Sequence, residues 1–343
     1  MALEGKHKAD VRFHRGGRGW PSNPFLFQGP GQVEIEADFV VLRGSSHRSF
    51  RFPQRAEHRL RKVDIVNARA EGPDVVFDVV GVDGSREVGF IAADRAAAQA
   101  IVADLPARWM PEFEVAYGER ETFHDRIDYW SPSTPVIWLL LAANVGIFIL
   151  MWLQRHDQAP FTLRTLLGMG RNADAVAQAF QLVAWGSNVG RLTLNGEWWR
   201  LVTSMFLHGN LLHLAFNMFA LWQVGQLVER IFGSARFVAL YMAAGICGSL
   251  ASVLWNPFAS SVGASGAIFG IIGGLLAFIR RKDSGVPPTV VADLRGSILP
   301  FLLFNLTAGF LYPHTDNAAH IGGLVGGWVA GHVLARSLHV PGS

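Results

Sequence analysis

A series of long apolar stretches after residue 135 restricts this chain to a fold that crosses a membrane. The first, Val136–Leu153, has 18 residues, enough to span the hydrocarbon core of a bilayer. The remaining stretches are Leu201–Val228, Phe237–Trp255, Val262–Ile279, Ile298–Leu311 and Ala318–Ala335. The fifth is short and carries Pro300 and Asn305, and we extend it backwards toward Val290. We therefore predict an all-α polytopic membrane core of six transmembrane helices over residues 135–338.

The overall composition agrees with a membrane protein and argues against two other kinds of site. Half of the residues are apolar and only 17% are charged. A net charge of +3 is too small to indicate a nucleic-acid partner. Cys247 is the single cysteine, so no intramolecular disulfide can form and a thiolate metal site is not indicated.

Basic residues are distributed unevenly between the loops and predict the orientation of the chain. They follow the second, fourth and sixth spans, at Arg230, Arg236, Arg280, Arg281, Lys282, Arg295 and Arg336. The loops 256–261 and 312–317 carry no Lys or Arg, while the loop 154–199 has four Arg but is too long to follow the rule well. Both termini are therefore expected in the cytosol. Because the N-terminus has no apolar core of signal-peptide length and the connecting loops are short, a bacterial plasma membrane is favoured, with an organellar membrane as the alternative.

The first 130 residues are rich in charge and show the pattern of a small β-rich domain. Two strands surround Asp83-Gly84, which is a hairpin signal, and Asp94 can cap a helix that follows. We predict a flexible N-terminus over 1–29, a β-rich cytosolic domain with a C-terminal helix over 30–110, and a linker over 111–134. Strands followed by one helix is the order of a pleckstrin-homology-like barrel. No catalytic constellation occurs here, so the domain is either a binding or regulatory module of unknown partner or a scaffold without a ligand.

Polar side chains inside the apolar spans are the candidates for chemistry, because they are costly in a bilayer. Ser265 lies between Gly263 and Gly266, at the start of the fourth span. A glycine row with a serine is also a common way for membrane helices to pack closely. His320 opens the sixth span above a second glycine row. Two such rows suit helices packed backbone to backbone, which could bring the Ser265 hydroxyl to an imidazole base, as nucleophilic catalysis requires.

The second span supplies two further donors. His213 and Asn217 are four residues apart and project from the same helical face, as an oxyanion hole would require. Hydrogen bonding between helices explains the pair equally well. On a regular helix His208 would point elsewhere, and we interpret it as structural. A metal site formed by His208, His213 and His320 is disfavoured, because no carboxylate accompanies the histidines of the second span and the H-E-x-x-H spacing is absent.

Three motifs in order, from about Leu182 to Ala335, resemble the rhomboid family of intramembrane serine proteases. They are GEWWRLVTSMFLHGNLLHLAFNM, SVGASGAIFG and NAAHIGGLVGG. The resemblance implies a six-helix core in which Ser265 is the nucleophile, His320 is the general base, and the fifth helix is a mobile gate for substrate. It also implies an oxyanion hole formed by His213, Asn217 and the Ser265 backbone N–H.

The resemblance extends to supporting positions and meets one departure. Trp199-Arg200 resembles the family's Trp-Arg pair, and Gly263 and Gly266 flank the nucleophile. Phe269 stands where the family often has a tyrosine that stacks on the histidine. We expect the stacking to survive without the hydroxyl. Asp316 or Asn317 is expected to cap the sixth helix rather than to complete a triad.

The resemblance implies hydrolysis of a peptide bond in or beside a transmembrane segment of another protein. The expected partners are transmembrane protein substrates and the lipid bilayer, and no metal or organic cofactor is required. An inactive rhomboid-like protein that binds transmembrane helices is one alternative, although the presence of both Ser265 and His320 argues against it. A transporter would need charged residues facing a cavity, of which the spans offer few. A lipid acyltransferase or esterase could use a similar dyad, but the three motifs do not favour it.

Overall fold

A computed structural model describes residues 7–13, 27–46, 54–82, 84–156, 172–311 and 315–340 of the chain. The chain divides into two compact units, Met1–Gly118 and Glu119–Ser343.

The first unit is a seven-stranded antiparallel sheet followed by a helix. Its strands are β1 (His7–Phe13), β2 (Phe27–Ile35), β3 (Phe39–Ser46), β4 (Gln54–Arg61), β5 (Ile65–Glu71), β6 (Asp74–Gly81) and β7 (Gly84–Ile91). They lie in the order β4-β3-β2-β1-β7-β6-β5. Helix α1 (Arg95–Ala103) begins where the Asp94 carboxylate accepts a hydrogen bond from the Ala97 N–H, and it buries Ala98 and Ile101 against the sheet core. The predicted β-rich domain with a C-terminal helix is confirmed.

The N-terminal boundary of this domain differs from the prediction. The composition of residues 1–29 predicts a flexible segment, but His7–Phe13 form β1, which pairs with β2 and, at Arg12, with β7. Alternate side chains of β1, Val11 and Phe13, are buried in the core. The alternation is too short to stand out among the neighbouring basic residues. Asp83 of the predicted hairpin lies outside the described residues.

A long helix occupies most of the predicted linker. Helix α2 extends over Pro111–Trp130, where the sequence is charged and only Phe123 and Ile127 are buried. It crosses the boundary between the two units, which falls at Gly118 and Glu119.

The second unit is helical, and the predicted polytopic core is confirmed. Its helices are α3 (Pro135–His156), α4 (Asn172–Trp185), α5 (Gly190–Leu194), α6 (Arg200–Thr203), α7 (Leu211–Phe232), α8 (Ser234–Trp255), α9 (Ser265–Ile279), α10 (Pro288–Leu311) and α11 (Asn317–Leu334). Within the described residues, four of these helices contain segments long and apolar enough to cross a membrane: Pro135–Gln154, Leu211–Phe232, Ser234–Trp255 and Pro288–Thr307. Helix α9 is apolar but has only 15 residues, and α11 has 18 residues, five of them glycine.

The second predicted span is broken in the structure. The apolar pattern from Leu201 to Val228 predicts one helix, but α6 and a single 3-10 turn, Ser204–Phe206, precede α7. Asn210 starts α7 by accepting a hydrogen bond from the His213 N–H. The polar Asn210 therefore serves as an N-cap, which hydropathy alone does not reveal. Helix α10, in contrast, is continuous through Pro300.

Helices α8, α9 and α11 pack against one another through their glycines. A Cβ at Gly327 of α11 would overlap the backbone of Gly270 in α9. A Cβ at Gly248 of α8 would lie 2.7 Å from the Ala319 carbonyl oxygen. We call α8, α9 and α11 the glycine seam. The prediction that two glycine rows pack backbone to backbone is confirmed.

Two of the spanning helices lie at the edge of the unit. Only 17% of the spanning residues are buried in α3 and in α10, compared with 50% in α8. The sides of α10 that face away from the unit expose large apolar residues, among them Leu299, Leu303 and Phe304. Such apolar exposure fits contact with lipid chains.

Candidate active site

Ser265 is the first residue of α9 and follows a short loop of unusual backbone geometry. Gly263 has φ +121°, a conformation that favours glycine, and its N–H donates to the Ser204 carbonyl at 2.9 Å. The cap residue Ala264 provides no side-chain hydrogen bond to the helix. The first backbone N–H groups of α9 therefore have no acceptor within the helix, and Ser265 itself is half-buried.

His320 lies in the first turn of α11, and its imidazole meets the Ser265 hydroxyl. The distance from His320 Nε2 to Ser265 Oγ is 2.9 Å, although the residues are 55 positions apart. A Cβ at Gly323, one turn after His320, would overlap the Gly266 backbone. The glycine contact thus brings the two helix starts close enough for this hydrogen bond. His320 is only 8% exposed.

Phe269 covers the imidazole of His320. The two rings are parallel within 8°, with centroids 4.3 Å apart. Asp316, four residues before His320, accepts a hydrogen bond from the Ala319 N–H at 2.9 Å and caps α11, as predicted. Among the described residues, none bonds to His320 Nδ1. The ring is therefore oriented by Phe269 and Ser265, without a carboxylate partner in that part of the chain.

His213 and Asn217 lie beside the loop that precedes Ser265. A Cβ added to Gly263 would be 2.7 Å from His213 Nε2 and 3.9 Å from Asn217 Nδ2. Asn217 Nδ2 donates one hydrogen bond to the His213 carbonyl at 2.9 Å, which leaves its second N–H for another acceptor. The absence of a side chain at Gly263 leaves room for a small group next to both donors.

His208 contacts His213, contrary to the prediction that it points elsewhere. Its ring centroid lies 5.1 Å from that of His213, with the rings edge to face at 64°. The prediction assumed a regular helix between the two residues, but α7 begins only at Leu211. His208 is 2% exposed, and neither ring nitrogen has a hydrogen-bond partner among the described residues. Within those residues no group of three or more His, Cys, Asp or Glu could hold a metal ion.

Trp199 and Arg200 fix the segment before α7. The Arg200 guanidinium is buried and donates to the carbonyls of Val183 and Ser187 at 2.8 and 3.0 Å. It also pairs with Glu197 at 2.7 Å and lies 4.6 Å from the centroid of the Trp199 ring. These contacts give the two residues a structural, supporting place in the unit.

One participant was missed by sequence reasoning. The Ser204 carbonyl holds the Gly263 N–H and so fixes the loop before Ser265. Because the contact uses only backbone atoms, no side-chain signal could have identified it. With this loop fixed, the site combines a hydroxyl bonded to an imidazole, the backbone N–H groups at the start of α9 and two side-chain donors. Such a set can form a serine nucleophile and stabilise a developing negative charge.

Comparison with known proteins identifies the family of this chain. A Rhomboid domain matches residues 195–337, a range that includes α6 to α11. Rhomboid protease GluP of Bacillus subtilis (strain 168) is 46% identical over 155 residues, 45% of this chain and 29% of GluP. RHOMBOID-like protein 6, mitochondrial, of Arabidopsis thaliana is 33% identical over 237 residues, 63% of this chain and 73% of that relative.

A further relative extends the comparison. Putative rhomboid protease YdcA of Bacillus subtilis (strain 168) is 33% identical over 155 residues, 44% of this chain and 76% of YdcA. The chain thus covers less than a third of GluP but about three quarters of the other two relatives. With its apolar helices, it is a multi-pass integral membrane protein. The chain belongs to the rhomboid family.

Proposed function

We propose that the protein is an intramembrane serine endopeptidase that cleaves transmembrane segments of other membrane proteins. The observation that carries this proposal is the 2.9 Å contact between Ser265 Oγ and His320 Nε2, in a unit built of apolar helices. Relatives named as rhomboid proteases support it. We further propose that the membrane is a bacterial plasma membrane, with both termini in the cytosol.

The proposed reaction begins with attack of Ser265 Oγ on the carbonyl carbon of the substrate. His320 Nε2 accepts the hydroxyl proton as the bond forms and then gives it to the leaving amine, which departs from an acyl-enzyme. A water molecule, deprotonated by the same nitrogen, attacks the ester carbonyl, and His320 then returns the proton to Ser265 Oγ as the carboxylic acid product leaves. No metal or organic cofactor takes part in these steps.

The negative charge of the tetrahedral intermediate is expected on the side of Gly263. There, the Ser265 N–H, His213 Nε2 and the second N–H of Asn217 can converge on one oxygen. Donors already held in place stabilise such a charge without reorganising during the reaction. In this role His213 is protonated on Nε2, and the ring of His208 packed against it holds its orientation.

The substrate must expose a peptide carbonyl that a regular helix would shield. Carbonyls inside a helix are already hydrogen-bonded and surrounded by side chains. We therefore propose that cleavage occurs near small residues followed by residues that weaken the helix. A transmembrane segment of this composition is the substrate class to test first.

A second candidate function is binding of transmembrane helices without cleavage. It is favoured by relatives that are named only RHOMBOID-like, among them RHOMBOID-like protein 6. The two candidates differ in whether Ser265 is needed. The binding function would survive the loss of its hydroxyl, whereas cleavage would not.

The test uses the purified full chain in liposomes, together with a single-span substrate carrying small and helix-weakening residues. We expect wild type to release a fragment of defined mass, and Ser265→Ala and His320→Ala to release none. Both variants should unfold at the wild-type temperature, because the glycine contacts between α9 and α11 remain. Equal cleavage by wild type and Ser265→Ala would show that the proposed mechanism is wrong.

A further inference from the structure

In each of the two lightly buried helices, α3 and α10, a glutamate from another helix accepts hydrogen bonds from N–H groups at the helix start. At α3, Glu229 of α7 accepts hydrogen bonds from the N–H groups of Val136 and Ile137 at 3.0 and 2.9 Å. It also accepts one from the Ser234 hydroxyl at 2.7 Å and is 0% exposed. The capping residue Glu229 is therefore fully buried, and it belongs to a spanning helix.

At α10 the capping glutamate comes from outside the spanning helices. Glu119 of α2 accepts hydrogen bonds from the Thr289 N–H at 3.0 Å and from the Thr289 hydroxyl at 2.6 Å. Both bonds lower the pKa of the Glu119 carboxyl, so the group is ionised at neutral pH. One turn further, Arg120 pairs with Asp293 at 2.9 Å, and both side chains are about half exposed. Unlike Glu229, Glu119 is only partly buried, so water can replace its contacts.

Other residues of α2 also contact the rest of the second unit and help to position Glu119. Arg126 donates to the Gly285 carbonyl just before α10. The guanidinium of Arg336, after α11, lies 4.8 Å from the centroid of the Trp130 ring. These two contacts hold the second half of α2 against the segments before α10 and after α11.

The opposite end of α10 adjoins the candidate active site. A Cβ at Gly309 would overlap the Asn317 side chain and lie 3.0 Å from Thr315 Cγ2. Asn317 is the first residue of α11, three positions before His320. The Gly309 end of α10 thus lies against the turn that carries His320, about 30 Å along the helix from Thr289.

Of the spanning helices near Ser265 and His320, α10 is the least buried, at 17% of its spanning residues compared with 33% in α7 and 50% in α8. The helices of the glycine seam cannot move closer together, because their backbones are already in contact. Along α10, Gly296 has nothing within 4 Å of where a Cβ would stand. A displacement of α10 would open a side path from the bilayer to Ser265 without disturbing the distance from Ser265 to His320.

We propose that the contact between Glu119 and Thr289 is a clasp that holds α10 in its closed position and so limits admission of a substrate helix. The inference rests on the proposed function and concerns how substrate entry to the same site is regulated. When the clasp is intact, α10 is fixed at the Thr289 end and rests on Asn317 at the other. When it is released, the packing of Val290, Ile298 and Leu302 in the core still holds α10, but its Thr289 end is less restrained. Glu119 is therefore a positioning residue that acts through α10.

The test compares variants that remove the clasp with variants that keep it. Glu119→Ala removes the acceptor and Thr289→Val removes the hydroxyl donor, whereas Thr289→Ser keeps it. Glu121→Ala, which changes an exposed carboxylate on the same helix, is the matched control. Each protein is assayed in liposomes with the transmembrane substrate and in detergent with a small fluorophosphonate probe.

We expect Glu119→Ala to cleave the transmembrane substrate about fivefold faster, and Thr289→Val about twofold faster, since a hydrogen bond to a charged group in partial contact with water stabilises modestly. Thr289→Ser and Glu121→Ala should match wild type, and all four should react with the small probe at the wild-type rate. Unchanged or slower cleavage by Thr289→Val and Glu119→Ala, with normal probe reaction, would overturn the clasp.

A distance measurement separates failure of the clasp from failure of the proposed function. Spin labels at Leu303→Cys on α10 and Val325→Cys on α11, both exposed positions, are introduced with Cys247→Ser. We expect a broader distance distribution in Glu119→Ala than in Glu121→Ala, whether or not the protein cleaves anything. Identical distributions in the two variants would overturn the clasp even if wild type proves to be a protease.

Discussion

The glycine seam and α10 face the same candidate active site but are packed in opposite ways. In the seam, backbones touch, so that a Cβ at Gly327 would overlap Gly270. In α10 only 17% of the spanning residues are buried, and Gly296 has open space around it. The two regions therefore differ in what they do for the site. The parts that set the distance between nucleophile and base are rigid, and the part that covers them is loosely held.

The largest effect is expected from a methyl group placed in the seam. Gly327→Ala should force α9 and α11 apart and cost about 3 kcal/mol or more of stability, with loss of activity. The same substitution at Gly296 of α10 should cost nothing, because its Cβ meets no atom within 4 Å. Thermal unfolding in detergent measures both. Equal stability of the two variants would mean that the seam is not tightly packed.

A smaller but still large loss of activity is expected at the proposed oxyanion site, which α7 forms beside the seam. Asn217→Ala should lower the cleavage rate about a hundredfold, the usual cost of one oxyanion donor, with little change in the unfolding temperature. Rates on the transmembrane substrate and on the small probe should fall together, since the defect lies in the chemistry. A fall on the large substrate alone would instead assign Asn217 to substrate entry.

The ring that orients His320 should have a moderate effect. Phe269→Leu removes the stack, and we expect the rate to fall about fivefold, in line with the worth of an aromatic contact. Phe269→Tyr keeps the ring and should stay within about twofold of wild type. Both are measured as cleavage rates at saturating substrate. If Phe269→Leu and Phe269→Tyr behave alike, the stacking does not orient the imidazole.

The smallest effect is expected from a substitution in α10, and it should raise the cleavage rate rather than lower it. Gly309→Ala places a methyl group against Asn317 and Thr315, so it should push the end of α10 outward. We expect the transmembrane substrate to be cleaved about twofold to threefold faster, with an unchanged reaction of the small probe. The ratio of the two rates is the quantity to measure. A lower ratio would show that closure of α10 helps substrate binding rather than restricting it.

Much of the membrane unit could be predicted because its signals are local. The glycine rows of the fourth and sixth spans predicted the seam, and the residues beside them predicted which helix starts would meet. Hydropathy also located α3, α8 and α10. It failed between Leu201 and Leu211, because Asn210 caps a helix inside an apolar stretch and hydropathy does not register a cap.

Contacts between distant segments could not be predicted in the same way. Glu119 and Thr289 are 170 residues apart, and each taken alone is an ordinary surface residue. The contact between His208 and His213 depends on a non-helical turn that the spacing conceals. Strand β1 is too short to outweigh the charged composition around it. In each case the information lies in the packing of two segments and not in either sequence pattern.

The most direct test of the central claim is to react the purified protein with a fluorophosphonate and identify the modified residue by peptide mass spectrometry. An unactivated serine is inert to this reagent, so labelling reports a hydroxyl with a working base. We predict one adduct, on Ser265, which is absent from folded His320→Ala. A folded wild-type protein without an adduct, under conditions that label another membrane serine protease, would contradict the account. The contact between Ser265 and His320 would then be structural only.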